Sequence, residues 1–163
     1  METYQVWTPI LLSLHSWYLD TLMTSKIRLE ILTIERKLFD EEIDMVVAPG
    51  IEGVFGVLPN HAPLLTTLNY GELQVKRPGQ PDEFFAIGGG FIEVRPDHVV
   101  VMADSAERAD EIDVSRAEES RLRAQSSVDK RGETMEFEKA QASLKRSALR
   151  VKIAKRRGHR GQR

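Results

Sequence analysis

The pattern of this chain changes at Asp104, and the change decides its architecture. Ahead of it, from Ile27 to about Ala103, short runs alternate between apolar and polar residues and stop at turn signals. Ile27, Leu29 and Ile31 interleave with Arg28, Glu30 and Leu32. Glu42-Ile43-Asp44-Met45-Val46-Val47-Ala48 runs into Pro49-Gly50, and Glu72-Leu73-Gln74-Val75-Lys76 stops at a hairpin loop, Pro78-Gly79-Gln80-Pro81. Phe84-Phe85-Ala86-Ile87 is the returning strand, and a tight Arg95-Pro96-Asp97 connection follows Phe91 to Val94 and precedes His98 to Met102. Short strands with a turn every eight to twelve residues or so define a sandwich or a barrel.

Beyond Asp104 the residues are those of helices. Segments 113–128 and 133–156 contain no proline, few β-branched residues and many Ala, Glu, Lys and Arg. Phe137, Ala140, Leu144, Ala148 and Val151 form an apolar stripe, and Ala117, Ala124 and Val128 form a thinner one. Gly132, after Asp129-Lys130-Arg131, is the natural break between two antiparallel helices. The expected fold class is therefore α+β, an N-terminal antiparallel β-sandwich over residues 23–110 followed by a C-terminal antiparallel two-helix hairpin over 111–156. Both stripes are narrow and Ala-rich, so the hairpin should be weakly held and able to move.

Charge divides at the same boundary. Residues 1–111 carry 8 Lys and Arg against 18 Asp and Glu, while residues 112–163 carry 15 against 7. An acidic body with a basic end, including a basic tail at 157–163, seeks an acidic partner: the body itself or another protein. Nucleic acid suits a chain of net charge -2 poorly. There are no cysteines, which excludes disulfides and thiolate metal sites. Residues 1–22 form an extension holding both tryptophans, Trp7 and Trp17. It is too interrupted by polar residues for a membrane span, and it lacks the positive start of a secretory signal. The expectation is a misassigned start, with Met23 opening the chain ahead of the first strand.

Residues 53–65, Gly53-Val54-Phe55-Gly56-Val57-Leu58-Pro59-Asn60-His61-Ala62-Pro63-Leu64-Leu65, read as one shaped surface loop with almost no reactive side chain. Such a loop exists to touch a partner, with Gly53, Val54, Pro59, His61 and Pro63 as its contact residues. His61 either joins that surface or hydrogen-bonds its own loop. Gly88-Gly89-Gly90 leads into a strand, not a helix, and lacks both phosphate-loop patterns, so it marks a bulge or close strand packing. The four histidines have no metal-ligand spacing, and no serine sits in a nucleophile elbow. No catalytic residue and no metal site is expected, and the chain is not read as an enzyme.

The helical segment holds the one ligand-like set. Asp113, Arg116 and Arg123 share a face of the first helix, and Arg146 and Arg150 share a face of the second. Folded together, these faces can offer several planar guanidinium forks to one small anion. On spacing alone, solvated helices with ordinary surface ion pairs remain the simpler account.

Three separated segments resemble the epsilon subunit of bacterial F-type ATP synthases. They are residues 53–65, then Gly89-Gly90-Phe91-Ile92-Glu93-Val94 with the strand ending Ala103-Asp104, and the Ala-, Lys- and Arg-rich run ending Leu149-Arg150-Val151. The resemblance spans residues 27–153. It implies a β-sandwich that contacts the gamma subunit and the rotating c-ring, and a hairpin that reaches toward the alpha and beta subunits to restrain ATP hydrolysis. It implies a peripheral protein on the cytoplasmic face of the inner membrane, needing no cofactor. Some members bind ATP as an effector through Ile/Leu-Asp-x-x-Arg-Ala, and Ile112-Asp113-Val114-Ser115-Arg116-Ala117 matches each fixed position. The family's further nucleotide contacts correspond to Glu107, Arg123, Arg146 and Arg150. The rival readings are a stand-alone small-ligand sensor and a basic-tailed nucleic-acid binder.

Overall fold

The computed structural model describes residues 25–129 and 135–156. The expected extension, the break at Gly132 and the basic tail lie outside them. The strands are β1 (Ile27–Leu32), β2 (Lys37–Ile43), β3 (Met45–Gly50), β4 (Gly53–Val57), β5 (Leu64–Lys76), β6 (Glu83–Val94), β7 (His98–Ala103) and β8 (Ala106–Arg108). Two helices follow, α1 (Val114–Asp129) and α2 (Met135–Arg156).

The strands form one sheet in the order β2-β1-β7-β6-β5-β3-β4, with β8 on β6. Its spine is the long β5–β6 hairpin, paired from Leu64↔Val94 to Val75↔Glu83 around the expected proline-rich loop. The far edge of β6 serves two strands in turn. β8 pairs with Phe85, Ala86 and Ile87, and β7 pairs with Gly90 through Val94. This handover lets the sheet close over a core of Ile27, Leu29, Ile31, Leu73, Phe85 and Ile92, buried as the alternation requires. The expected antiparallel sandwich is mixed at one place, since β1 runs parallel to β7.

The triple glycine lies at the handover. Gly89 and Gly90 have φ of 100° and 116°. A Cβ on Gly90 would stand 2.2 Å from the Met102 carbonyl oxygen, so the backbones meet where a side chain would be. The expectation of close strand packing holds.

Three readings need correction. Residues 53–65 are not one loop: Gly53 to Val57 form edge strand β4 on β3, Leu64 and Leu65 open β5, and residues 58–63 alone connect them. Glycine at 53 and 56 hid the alternation, because only Phe55 and Val57 mark the inner face. The run 42–48 is broken at Asp44, where β2 ends and β3 begins. In the α2 stripe Ala140 and Val151 are buried as expected, but Ser147, at 4% exposure, is buried in place of Ala148, which is exposed. The Ser147 hydroxyl donates to the Ser143 carbonyl at 2.9 Å and the Leu144 carbonyl at 3.1 Å. A hydroxyl satisfied by its own helix is cheap to bury and keeps the side chain small at the contact.

The two helices pack on each other, and α2 rests on β5 and β6. The joint is a second, small apolar cluster: Ala86 of the sheet, Ile112 before α1, Ala117 of α1, and Val151, Ile153 and Ala154 of α2. Charge reinforces it, for Arg156 lies 3.0 Å from Glu72 on β5 and covers the Phe84 ring at 5.0 Å.

Candidate functional site

Two surface features carry sequence-derived site residues. The first is the rim around the 58–63 connection, where Val54, Leu58 and Leu65 are 73%, 55% and 69% exposed. Its shape is fixed from within: the Asn60 N–H donates to the Pro96 carbonyl at 2.7 Å, and the His61 N–H donates to that of Leu58 at 3.2 Å. His61 Nδ1 sits 2.7 Å from the Ala62 carbonyl, so this ring bonds its own loop. Pro59 is half-buried, while Gly53 and Pro63 stay exposed. These bonds hold the exposed apolar side chains of the rim in one arrangement.

The second surface is a cleft of about 300 Å³ between the sandwich and α2. Gly88, Ala106 and Glu107 line one side, and Ser143, Arg146 and Arg150 the other. Arg150 Nε donates to Glu107 Oε2 at 2.6 Å, tying helix to sheet across the cleft. Among the described residues Arg146 has no carboxylate within ion-pair distance. Arg123 lines a second, more open depression between the helices, which shares Ser120 and Ser143 with the first. Of the sequence-derived residues, Glu107, Arg146 and Arg150 therefore border the cleft, and Arg123 borders the adjoining depression.

The remaining four are used differently. Ile112 and Ala117, 3% and 0% exposed, build the joint that seats the hairpin. Arg116 is exposed and lines neither depression. Asp113 caps α1: its Oδ1 accepts from the Ser115 hydroxyl at 2.6 Å and the Arg116 N–H at 3.1 Å. Those two bonds, the Ser115 hydroxyl foremost, hold its carboxyl below the usual aspartate range. A lowered carboxylate value makes the cap fully effective above the ordinary 3.8 and lost as pH falls through the folded-state value. Asp113→Asn keeps an acceptor that does not titrate. Circular dichroism below pH 4 should therefore show less acid loss of helix in the variant than in the parent. Identical acid profiles would rule out a contribution from this cap.

Sequence reasoning missed the serines of the cleft and Lys139, which lines the second depression. A signal existed: Lys139, Ser143, Arg146 and Arg150 follow one helical face, with steps of 4, 3 and 4. No group of acidic or imidazole side chains able to hold a metal occurs among the described residues.

The described residues thus form a β-sandwich with an exposed apolar rim and a helical hairpin packed over an arginine-lined cleft, the two-part form of a small assembly subunit. The family model for the β-sandwich domain of the ATP synthase Delta/Epsilon chain matches residues 26–109, and that for its long alpha-helix domain matches residues 110–155. The chain belongs to the ATP synthase epsilon chain family, a non-catalytic subunit of that enzyme. It is 53% identical over 137 residues to the ATP synthase epsilon chain of Dehalococcoides mccartyi, covering 83% of this chain and 97% of the relative. The epsilon chain of Herpetosiphon aurantiacus is 48% identical over 134 residues, covering 82% and 98%. In fold it is similar to a chain of the Euglena gracilis mitochondrial ATP synthase, in a structure of its OSCP, F1 and c-ring. The TM-score is 0.68 at 21% identity, with 77% of this chain and 79% of that one covered.

Proposed function

We propose that this chain works in the central stalk, coupling c-ring rotation driven by the proton gradient to ATP synthesis, and that its hairpin restrains ATP hydrolysis under the control of bound ATP. The epsilon-chain relatives, and the likeness in fold to chains in structures of the c-ring and central stalk of ATP synthases, support the placement. The rim around residues 58–63 then docks to the gamma subunit and the c-ring, and the hairpin, when released, reaches the alpha and beta subunits. On this reading the chain is held at the cytoplasmic face of the membrane by these partners; among the described residues no helix is long and apolar enough to cross a membrane.

The observation that supports the regulatory part is the cleft between hairpin and sandwich, where Arg146 has no ion-pair partner among the described residues beside the Glu107–Arg150 bridge. An anion held there touches both bodies and is lost when they part. ATP therefore favours the docked hairpin, and at a hundredfold excess over its dissociation constant the bias is about 2.7 kcal/mol. That magnitude matters because the joint is small. Serving as effector and not substrate, ATP needs no catalytic group here.

Isothermal titration of the full chain tests this reading. ATP should bind one to one, and Arg146→Ala should weaken binding about tenfold or more, as loss of a charge-assisted contact does. No heat at millimolar ATP ends the effector reading while leaving the family assignment intact.

A further inference from the structure

We propose that strand β8 stays on the sandwich when the hairpin leaves, kept there by Arg108 as a positioning residue, so that the hairpin pivots at Ile112 and Asp113; this rests on the reading above that the hairpin is released. β8 lies between the two bodies, and its alternate side chains face each of them. Ala106 packs against the sandwich core, whereas Glu107 accepts from Arg150 of α2 and Ala109 packs against the joint. A strand shared in this way follows whichever body holds it more firmly.

The sandwich has the firmer hold. Arg108, Glu107 and Ala106 pair with Phe85, Ala86 and Ile87 of β6. Backbone bonds extend this pairing at both ends: the Gly88 N–H donates to the Ser105 carbonyl at 2.8 Å, and the Ala109 N–H to that of Phe84 at 2.9 Å. The Arg108 guanidinium bridges to Glu83, which Arg77 holds from another side. It also lies 5.5 Å from the centroid of the Phe85 ring and 5.8 Å from that of Phe39, and these two rings meet edge to face. One side chain thus ties β8 to β6 and also to β2, with which β8 shares no ladder. The hairpin holds β8 by the partly exposed Glu107–Arg150 pair and the small Ala109 contact, and an ion pair open to water is weak.

The sandwich keeps its hold as far as Glu111. The Glu111 N–H donates to the Arg108 carbonyl at 3.1 Å, and its carboxylate accepts from Arg36, in the connection between β1 and β2, at 2.6 Å. Ile112 is the first buried residue after β8 that belongs to the joint. Asp113 spends its carboxylate on Ser115 and the Arg116 N–H, bonds that travel with α1. The backbone between Glu111 and Asp113 is therefore where the angles change on release. Release parts Arg150 from Glu107 and leaves Glu107 behind on the sandwich.

Hydrogen exchange read by mass spectrometry on the full chain tests this, with Ile153→Asp as the releasing variant because Ile153 is fully buried in the joint. In that variant α1 and α2 should exchange rapidly while residues 105–111 keep the protection they have in the parent. Adding Arg108→Ala should speed exchange at 105–111 about tenfold or more, and Arg108→Lys, which keeps the charge without the flat stacking, should speed it less. In the otherwise parental chain Arg108→Ala should leave 105–111 protected, since the docked hairpin then holds β8 from its other side. Residues 105–111 that exchange together with the helices in Ile153→Asp overturn the pivot. Equal acceleration by Arg108→Ala in both backgrounds, or none in either, overturns the role of Arg108. Helices that stay protected in Ile153→Asp overturn the pivot and the release reading together. A parent chain that binds no ATP ends the effector reading alone, because this measurement uses no nucleotide.

Discussion

Gly90→Ala should cost the sandwich at least about 3 kcal/mol and lower its melting midpoint by more than about 12 °C. Two penalties coincide there. Its φ of 116° lies where an L side chain is strained, which alone costs about 1–3 kcal/mol. The added Cβ would also stand 2.2 Å from the Met102 oxygen and 2.8 Å from the Ala103 Cα, both backbone atoms with no rotamer to move to. Relief requires β6 and β7 to separate where Gly90 pairs with Ala103, at the handover that closes the sheet. Gly79→Ala is the control. It shares a positive φ of 71° but has nothing within 4 Å, so it should cost only about 1–2 kcal/mol. Equal melting midpoints for the two alanine variants would show that backbone crowding at Gly90 contributes nothing.

Residues of this kind show what a sequence reading can reach. The β period, the proline-rich hairpin and the two helical segments are local signals, and each became an element near its expected place, although strand β8 follows Asp104 before α1 begins at Val114. Close approach at the triple glycine was also legible, because a glycine run leading into a strand has few other uses. Strand β4 was not, since two of its five residues are glycines that carry no face. Ser147 was missed because an apolar stripe was sought, and what the contact demands there is small size with an internally satisfied hydroxyl. In the cleft, the arginines stood out by spacing within single helices. Their meeting with Glu107 depends on how far the hairpin tilts onto the sheet, which no spacing records. Asp113 shows the converse. A residue at motif position for a ligand also stands at a helix start, and in this structure its carboxylate is engaged by Ser115 and the Arg116 N–H.

Ile153→Asp should release the hairpin while leaving the sandwich folded. Ile153 is 0% exposed and is the largest fully buried side chain that α2 contributes to the joint. Losing its apolar contact removes about 1.5–3 kcal/mol of docking, and a carboxylate in its place adds the cost of an unpaired buried charge. The remaining contacts are few: Ile112 and Val151 supply apolar area, Ala86, Ala117 and Ala154 offer little, and the Glu107–Arg150 and Glu72–Arg156 pairs are partly exposed, worth about 1 kcal/mol or less each. The helix can escape the penalty by undocking, because the core around Leu29, Phe85 and Ile92 is a separate cluster. Trypsin should then cut rapidly within 114–156 while residues 25–109 resist, and the sandwich should melt within a few degrees of the parent. ATP affinity should fall by more than about a hundredfold, since a cleft shared by two bodies exists only when they touch. In a reconstituted synthase the same variant should restrain hydrolysis more strongly, and added ATP should no longer relieve it. Helices that stay protected, or a sandwich that unfolds with them, would mean that hairpin and sheet form one cooperative body, and regulation by release would then have no element to act on.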